Sequence, residues 1–437
     1  MNEWTKFRVE DIAEKIAIGP FGSRMKSETY TLSGVPVIRG TNITGGRNFS
    51  GDWVYVSEAD ADQMANCNVR DGDLVFPHRG AIGEVGIVPG DKGRYIISSS
   101  LMTLRCDSTK ANSLYLYYFF KSYEGRHELL KNASQVGTPG IGQPLTSLRS
   151  IEVCLPPVEQ QKRVAGVLGS LDDKIELNRR MNDTLEAMAR AIFNSWFVDF
   201  DPVRAKAGGE SSDSICQRLG MTTELLAQFS ETFVESSLGA IPAGWTVCAL
   251  DEIAEYLNGL ALQKFPAVEG DDWLPVIKIA QLRAGHTHTA DKASTQVPPT
   301  YVVENGDVLF SWSGSLEVDI WCGGRGALNQ HLFKVTSSTY PKWFYFLWTR
   351  HHLNTFRDIA ANKATTMGHI QRKHLAEAMV VCPPTDVIGE MTQVMAPLLD
   401  RMVSARLESA RLAAVRDTLL PELLSGRLEI EDARGLI

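Results

Sequence analysis

WTKFRVEDIAEKIAIG, residues 4–19, and WTVCALDEIAEYLNG, residues 245–259, are two versions of one segment. Ile12, Ala13 and Glu14 of the first align with Ile253, Ala254 and Glu255 of the second, at an offset of 241. Working outward, VPVIRGTNI from Val35 faces LPVIKIAQL from Leu274, and VRDGDLVF from Val69 faces VENGDVLF from Val303. The apolar aromatic runs YLYYFF from Tyr115 and WFYFLW from Trp343 correspond, as do SIEVCLPP ending at Pro157 and AMVVCPP ending at Pro384. Order is kept throughout, so the chain is an internal duplication, and the repeating unit is a module followed by a helical stretch.

Within a module the short β-branched runs are separated by glycine-rich turns, with Pro-Val-Ile as a buried strand and the Asp-Gly or Asn-Gly dipeptide as a turn between strands. Together with the aromatic segment this predicts compact α/β (α+β) modules at residues 1–157 and 241–384. After Pro156 and Pro157, Val164, Leu168, Leu171 and Ile175 recur at heptad spacing, and Asn178, Asn182 and Leu185 continue it. This predicts a first spacer helix over 158–200, stopped by Asp201-Pro202 because the residue before proline disfavours helix. In the second copy Met391, Met395, Leu398, Met402, Ala405, Ser409 and Leu412 repeat the spacing, which predicts a second spacer helix and tail over 385–437. Pro397 falls inside that pattern and is expected to kink the helix or delay its start. Asparagine at a seam position such as 178 fixes register or partner choice at a cost in stability. The plainer alternative is that each stripe packs its helix on its own module.

Residues 201–240 open with Gly, Ser and acidic side chains and read as a connector between the repeats. The formal charge of -8 argues against a nucleic-acid partner until its placement is considered. Residues 1–157 carry 17 basic and 17 acidic groups and residues 241–384 carry 12 and 13, so most of the acidic excess lies outside the modules. No apolar run is long enough to cross a membrane. The seven cysteines include no C-x-x-C pair, and residues 1–10 do not read as a signal peptide, which together suggest a reduced cytoplasmic protein.

Catalytic signatures are missing from the sequence. It contains no phosphate loop, no H-E-x-x-H and no G-x-S-x-G. The Pro-Pro pairs read L-P-P-V, V-P-P-T and C-P-P-T, unlike the [DNS]-P-P-[YFW] of an amino-methyltransferase. His286, His288, His351, His352, His369 and His374 lack the accompanying spacing of a zinc site. The expectation is a non-catalytic chain with no metal and no cofactor of its own.

Four further stretches carry a resemblance: LPPVEQQ from Leu155, IFNSWFVDFDP from Ile192, SLGAIPAGW from Ser237 and LLPELLSG from Leu419. With the duplication, they make the whole chain resemble the specificity subunits of type I restriction-modification enzymes. One departure is CPPTD from Cys382, where the second repeat lacks the Leu-Pro-Pro and Glu-Gln pattern. The resemblance implies two target-recognition domains separated by two long antiparallel coiled-coil helices about a pseudo-twofold axis, each domain reading one half of a bipartite, asymmetric site in double-stranded DNA. A 40-residue helix is about 60 Å long, enough to separate two readers by a turn of DNA, roughly 34 Å. The resemblance also implies two methyltransferase subunits bringing S-adenosylmethionine, and restriction subunits using ATP and Mg. Leu168, Leu171, Ile175, Asn178, Asn182, Leu185, Met395, Leu398, Met402 and Leu412 are then the helix-pairing or subunit-interface residues.

Base readout needs forked donors, amides and hydroxyls on exposed loops. In the first module Ser23, Arg24, Lys26, Arg39, Asn42, His78, Arg79, Ser99, Ser100, Thr138 and Gln143 meet that description. In the second, Lys264, Lys278, Gln281, Trp312, Ser313, Gln330, His331, Lys363, Thr365 and Thr366 do. Each has a structural alternative, such as an ion pair for Arg39 or a plain turn for the glycine-rich loops. The competing reading of the whole chain is a DNA-binding or scaffold protein coupled to no methylation or restriction system.

Overall fold

The computed structural model describes residues 4–20, 25, 27–134, 138–362 and 368–428, which form two compact units. One comprises residues 1–175 with 411–437, the other residues 176–410.

In the first unit a four-stranded antiparallel sheet has the order Ala13–Ile18, Leu101–Cys106, Leu74–Pro77, Gly86–Ile87. A second sheet has the order Val54–Val56, Val35–Ile38, Tyr95–Ile97, Asn68–Val69, in which Val35–Ile38 and Tyr95–Ile97 run parallel. The Val-Pro-Val-Ile strand is buried on both faces, as its unbroken apolar run requires. The two runs flanking Asp71-Gly72 do not form a hairpin. Asn68–Val69 belongs to the second sheet and Leu74–Pro77 to the first, so the turn hands the chain from one sheet to the other. Gly72, at φ 79°, supplies the left-handed step. The aromatic run lies on the helix Ser113–Lys121, capped by Asn112, and Tyr115, Leu116, Tyr117, Tyr118 and Phe120 are buried in the core.

The second unit repeats this design strand for strand. Glu255–Asn258, Leu332–Thr336, Val308–Ser311 and Val318–Ile320 form one sheet, and Lys292–Ser294, Trp273–Ile277, Gly326–Leu328 and Val302–Val303 the other. The parallel pair recurs, with Val276 beside Ala327 where Val37 lies beside Ile96. A hairpin of distant segments closes each unit: Thr5–Arg8 with Glu152–Leu155, and Thr246–Ala249 with Met379–Cys382.

Residues 201–240 fold rather than trail as a linker. Phe200, at φ 53°, breaks the first long helix from the short helix Asp201–Ala207, so Pro202 opens a helix in its first turn and the stop falls earlier, at Phe197. Two more short helices and the hairpin Phe233–Ser236 with Gly239–Pro242 follow. Val203, Ile215, Leu225, Leu226 and Phe229 are buried with Trp245 in the core of the second unit, which outweighs the glycine-serine composition that suggested flexibility.

The first long helix runs Val158–Phe197 and the second Thr385–Leu424. Gln161 explains the first start: its buried amide donates to the carbonyls of Pro156 and Lys110 and accepts from the Asn112 N–H. The second helix begins directly after its own Pro-Pro pair, and it continues through Pro397 to Leu424 without ending there. In the first unit Val164, Leu168 and Leu171 share a core with Leu419 and Leu423, while Ile175 and Leu412 are half-buried. Asp172 joins them by accepting from Arg416 Nη1 at 2.6 Å and from the Tyr118 hydroxyl at 2.6 Å. In the second unit Ala189, Phe193 and Phe197 share a core with Met391, Met395 and Leu399. The start of each helix therefore pairs with the end of the other, which makes them antiparallel. Asn178 is fully buried and donates to Glu408 at 2.8 Å, while Asn182 and Leu185 are half-buried. Met402 is buried at the seam; Leu398 is half-buried beside the better buried Leu399. Arg406 grips both carboxylate oxygens of Asp319 and the Ile320 carbonyl, fixing the second helix to the sheet of its unit.

Candidate nucleic-acid interface

Each unit brings several loops to one end of its two sheets and stitches them by main-chain hydrogen bonds. In the first unit His78 N–H donates to Ser100 O at 2.9 Å, Gly80 N–H to Pro139 O at 2.9 Å, and Ile141 N–H to His78 O at 3.0 Å. Gly19 N–H donates to Leu101 O at 2.8 Å and Ser98 N–H to Ile38 O at 2.9 Å. The second unit repeats all five: Trp312 to His331 at 3.3 Å, Gly314 to Gly368 at 2.9 Å, Ile370 to Trp312 at 3.0 Å, Gly259 to Leu332 at 3.0 Å and Asn329 to Ile277 at 3.2 Å. Two glycines are needed here for close approach. A Cβ on Gly19 would lie 1.9 Å from the Ser98 carbonyl oxygen, and one on Gly259 would lie 2.2 Å from that of Asn329.

On this frame the side chains differ between units. In the first, Arg79 and Ser99 are exposed, Ser100 is half-exposed, and His78 is buried with its ring 3.0 Å from the Ser99 carbonyl. Burial pulls the His78 pKa below the ordinary histidine value, against the opposing hydrogen bond to Ser99, so the ring is held neutral. Thr138 is exposed beside Pro139 and Gly140, and Gln143 is exposed at the start of the helix Pro144–Ser150. In the second unit Trp312 donates from Nε1 to Asn258 Oδ1 at 2.8 Å, and its ring lies 5.8 Å from His331 and 6.4 Å from His369. Ser313 is buried and its hydroxyl lies 3.0 Å from His331 Nδ1; Gln330 Nε2 lies 3.4 Å from His331 Nε2. The result is an aromatic and amide surface where the first unit offers a guanidinium and hydroxyls.

Four expected contact residues also make hydrogen bonds within the fold. The Arg39 N–H donates to Asn42 Oδ1 at 3.0 Å, and the buried Asn42 amide donates to the carbonyls of Ser50 and Asp52. Arg39 Nη2 also donates to Asp52 O. Lys278 and Gln281 occupy the same places in the second unit: Lys278 N–H donates to Gln281 Oε1 at 3.2 Å and its ammonium pairs with Asp291. Lys264 is exposed on the turn Leu262–Lys264. Ser23, Arg24, Lys26, Lys363, Thr365 and Thr366 lie outside the described residues. Asn258 and Asn329 join this loop cluster without having been expected there, and His369, one of the histidines read as surface or DNA-facing rather than metal-binding, lies beside Trp312. The signal for Asn258 was the repeat itself, since it precedes the glycine that both copies keep.

Residues 1–187 match the family model described as the type I restriction modification DNA specificity domain. The chain is 24% identical to the type I restriction enzyme HindI specificity subunit of Haemophilus influenzae, over 98% of this chain and all of that one. It is 23% identical to the MjaIX specificity subunit of Methanocaldococcus jannaschii, over 98% and 94%. Its fold is similar to the crystal structure of the type I restriction-modification S subunit from M. genitalium, with a TM-score of 0.55 at 14% identity, over 97% of this chain and 96% of that one. The chain is thus similar over nearly its whole length to type I restriction enzyme specificity subunits. Among the described residues no helix is long and apolar enough to cross a membrane.

Proposed function

We propose that this chain gives a type I restriction-modification complex its DNA address, with each unit reading one half of a bipartite, asymmetric site. The observation that carries the proposal is the pairing of one main-chain frame, repeated bond for bond, with unlike side chains at its tips. Equivalent frames suit equivalent approaches to a duplex, and unlike tips suit different base edges. The paired helices offer the surface for two methyltransferase subunits, which would bring S-adenosylmethionine, and for restriction subunits using ATP and Mg. In this reading the chain supplies recognition and its partners supply chemistry.

The test is co-expression with a type I methyltransferase subunit, followed by single-molecule sequencing of host DNA for methyladenine. A split motif that vanishes when this chain is deleted is the expected result, and exchanging residues 1–157 should alter one half alone. A stable complex that leaves no chain-dependent methylation would refute the proposal.

A further inference from the structure

The strand registers define which tip residues occupy the same place in the two units. Pro77 pairs with Leu101 in the first unit and Ser311 with Leu332 in the second. Counting outward from those pairs superposes Arg79 on Ser313 and Ser99 on Gln330, and His78 on Trp312 and Ser100 on His331. These pairs share no residue type, although the hydrogen bonds beneath them are the same. The bonds are made by main-chain atoms, so the frame does not dictate which side chains stand on it. A position fixed in space but free in identity is one where a side chain can be chosen for its ligand.

We infer that positions 79 and 99 of the first unit and their counterparts 313 and 330 of the second form one transferable reading frame, in which Arg79 selects a guanine in one half-site and Gln330 an adenine in the other. This rests on the proposed function and goes beyond it by assigning positions and bases. The exposed guanidinium of Arg79 presents two parallel donors that match guanine O6 and N7. Gln330 is half-buried with Nε2 3.4 Å from His331 Nε2, and its amide, released from that long contact, matches adenine N6 and N7. The unit that has Arg79 has the short Ser99 beside it, and the unit that has Gln330 has the short Ser313, so each frame places one long reader next to a small neighbour.

The experiment gives each unit the other's residue, as Arg79→Ser and Gln330→Ser, in the complex with its methyltransferase subunits, and reads the methylated motif by single-molecule sequencing. Arg79→Ser should relax one guanine in one half-site, lowering discrimination there about tenfold or more, with the other half unchanged. Gln330→Ser should do the same to one adenine in the opposite half. A wild-type complex that methylates no split motif would refute the proposed function and this inference with it. A wild-type split motif that both variants leave unaltered would overturn this inference alone. So would uniform loss of methylation in Arg79→Ser that Arg79→Lys restores at unchanged sequence, since that pattern assigns Arg79 to backbone phosphate.

Discussion

Gly259→Ala should break the reading frame of the second unit while leaving the first intact. The added Cβ would stand 2.2 Å from Asn329 O and 2.6 Å from both Asn329 C and Leu328 O. Carbon and oxygen need roughly 3.3 Å, so the 329–331 loop must retreat by about 1 Å. Four hydrogen bonds meet at that point: Gly259 to Leu332, Leu260 to Leu328, Asn329 to Ile277 and Leu332 to Asn329. At about 1 kcal/mol net for each bond fully lost, partial loss of all four costs about 2–3 kcal/mol. The displacement also carries Gln330 and His331 off their positions, and a shift of about 1 Å at a positioned group can cost roughly 100-fold in function. Denaturant unfolding gives the stability change, and methylome sequencing of the complex gives the motif. Loss or relaxation confined to one half-site is expected, and Gly19→Ala should affect the other half. A Gly259→Ala variant within about 0.5 kcal/mol of wild type that keeps both halves would refute the close-approach argument.

Other perturbations test the scaffold. Asp172→Ala strips Tyr118 of its acceptor and Arg416 of one of two carboxylate partners, and because Arg416 keeps Asp417 and some solvent access the cost should be about 1–3 kcal/mol, below the range for fully buried pairs. Denaturant midpoints check it, and a loss under about 0.5 kcal/mol would show the pair to be idle. Asn182 keeps a buried amide oxygen with no hydrogen-bond partner among the described residues, so Asn182→Leu should stabilise by about 0.5–1 kcal/mol. A lower melting temperature for that variant would contradict the assignment. Burial, reinforced by the neighbouring His351, depresses the His352 pKa to about 4. The folded state thus favours the neutral ring, and the associated stability, complete above about 6.5, is lost as pH falls from there towards 4. His352→Gln should flatten that part of a pH-stability profile, and an unchanged acid limb would exclude the ring as its source.

The repeat, the strand positions and the long helices were legible because they depend on periodicity and on order kept between copies. Val164, Leu168 and Leu171 are buried where heptad spacing put them. Packing between distant segments was not legible. Residues 201–240 look like a linker by composition, yet Phe229 lies against Trp196 and Trp245, contacts that no local pattern announces. At the interface, Arg39, Asn42, Lys278 and Gln281 have the chemistry of readers, but in both units they bond the chain that follows a buried strand. A side chain's type says what it can bind, and only the fold says whether it is already occupied. His78 and Trp312 were both expected among the readers, and matching main-chain hydrogen bonds place them at equivalent turns.

The composition of the first unit also sets an order of events during synthesis. Its core includes Leu419 and Leu423, from the far end of the chain, while residues 176–410 in between build the other unit. At about 5–20 residues per second, a ribosome needs roughly 10–50 s to traverse that intervening stretch. Throughout that interval the N-terminal strands and the start of the first long helix have emerged without the leucines that complete their core. The second unit, continuous in sequence, has all its parts before the first does. The module encoded first is therefore the last to close, and a ribosome that stalls late in translation leaves the N-terminal half of the protein unfinished.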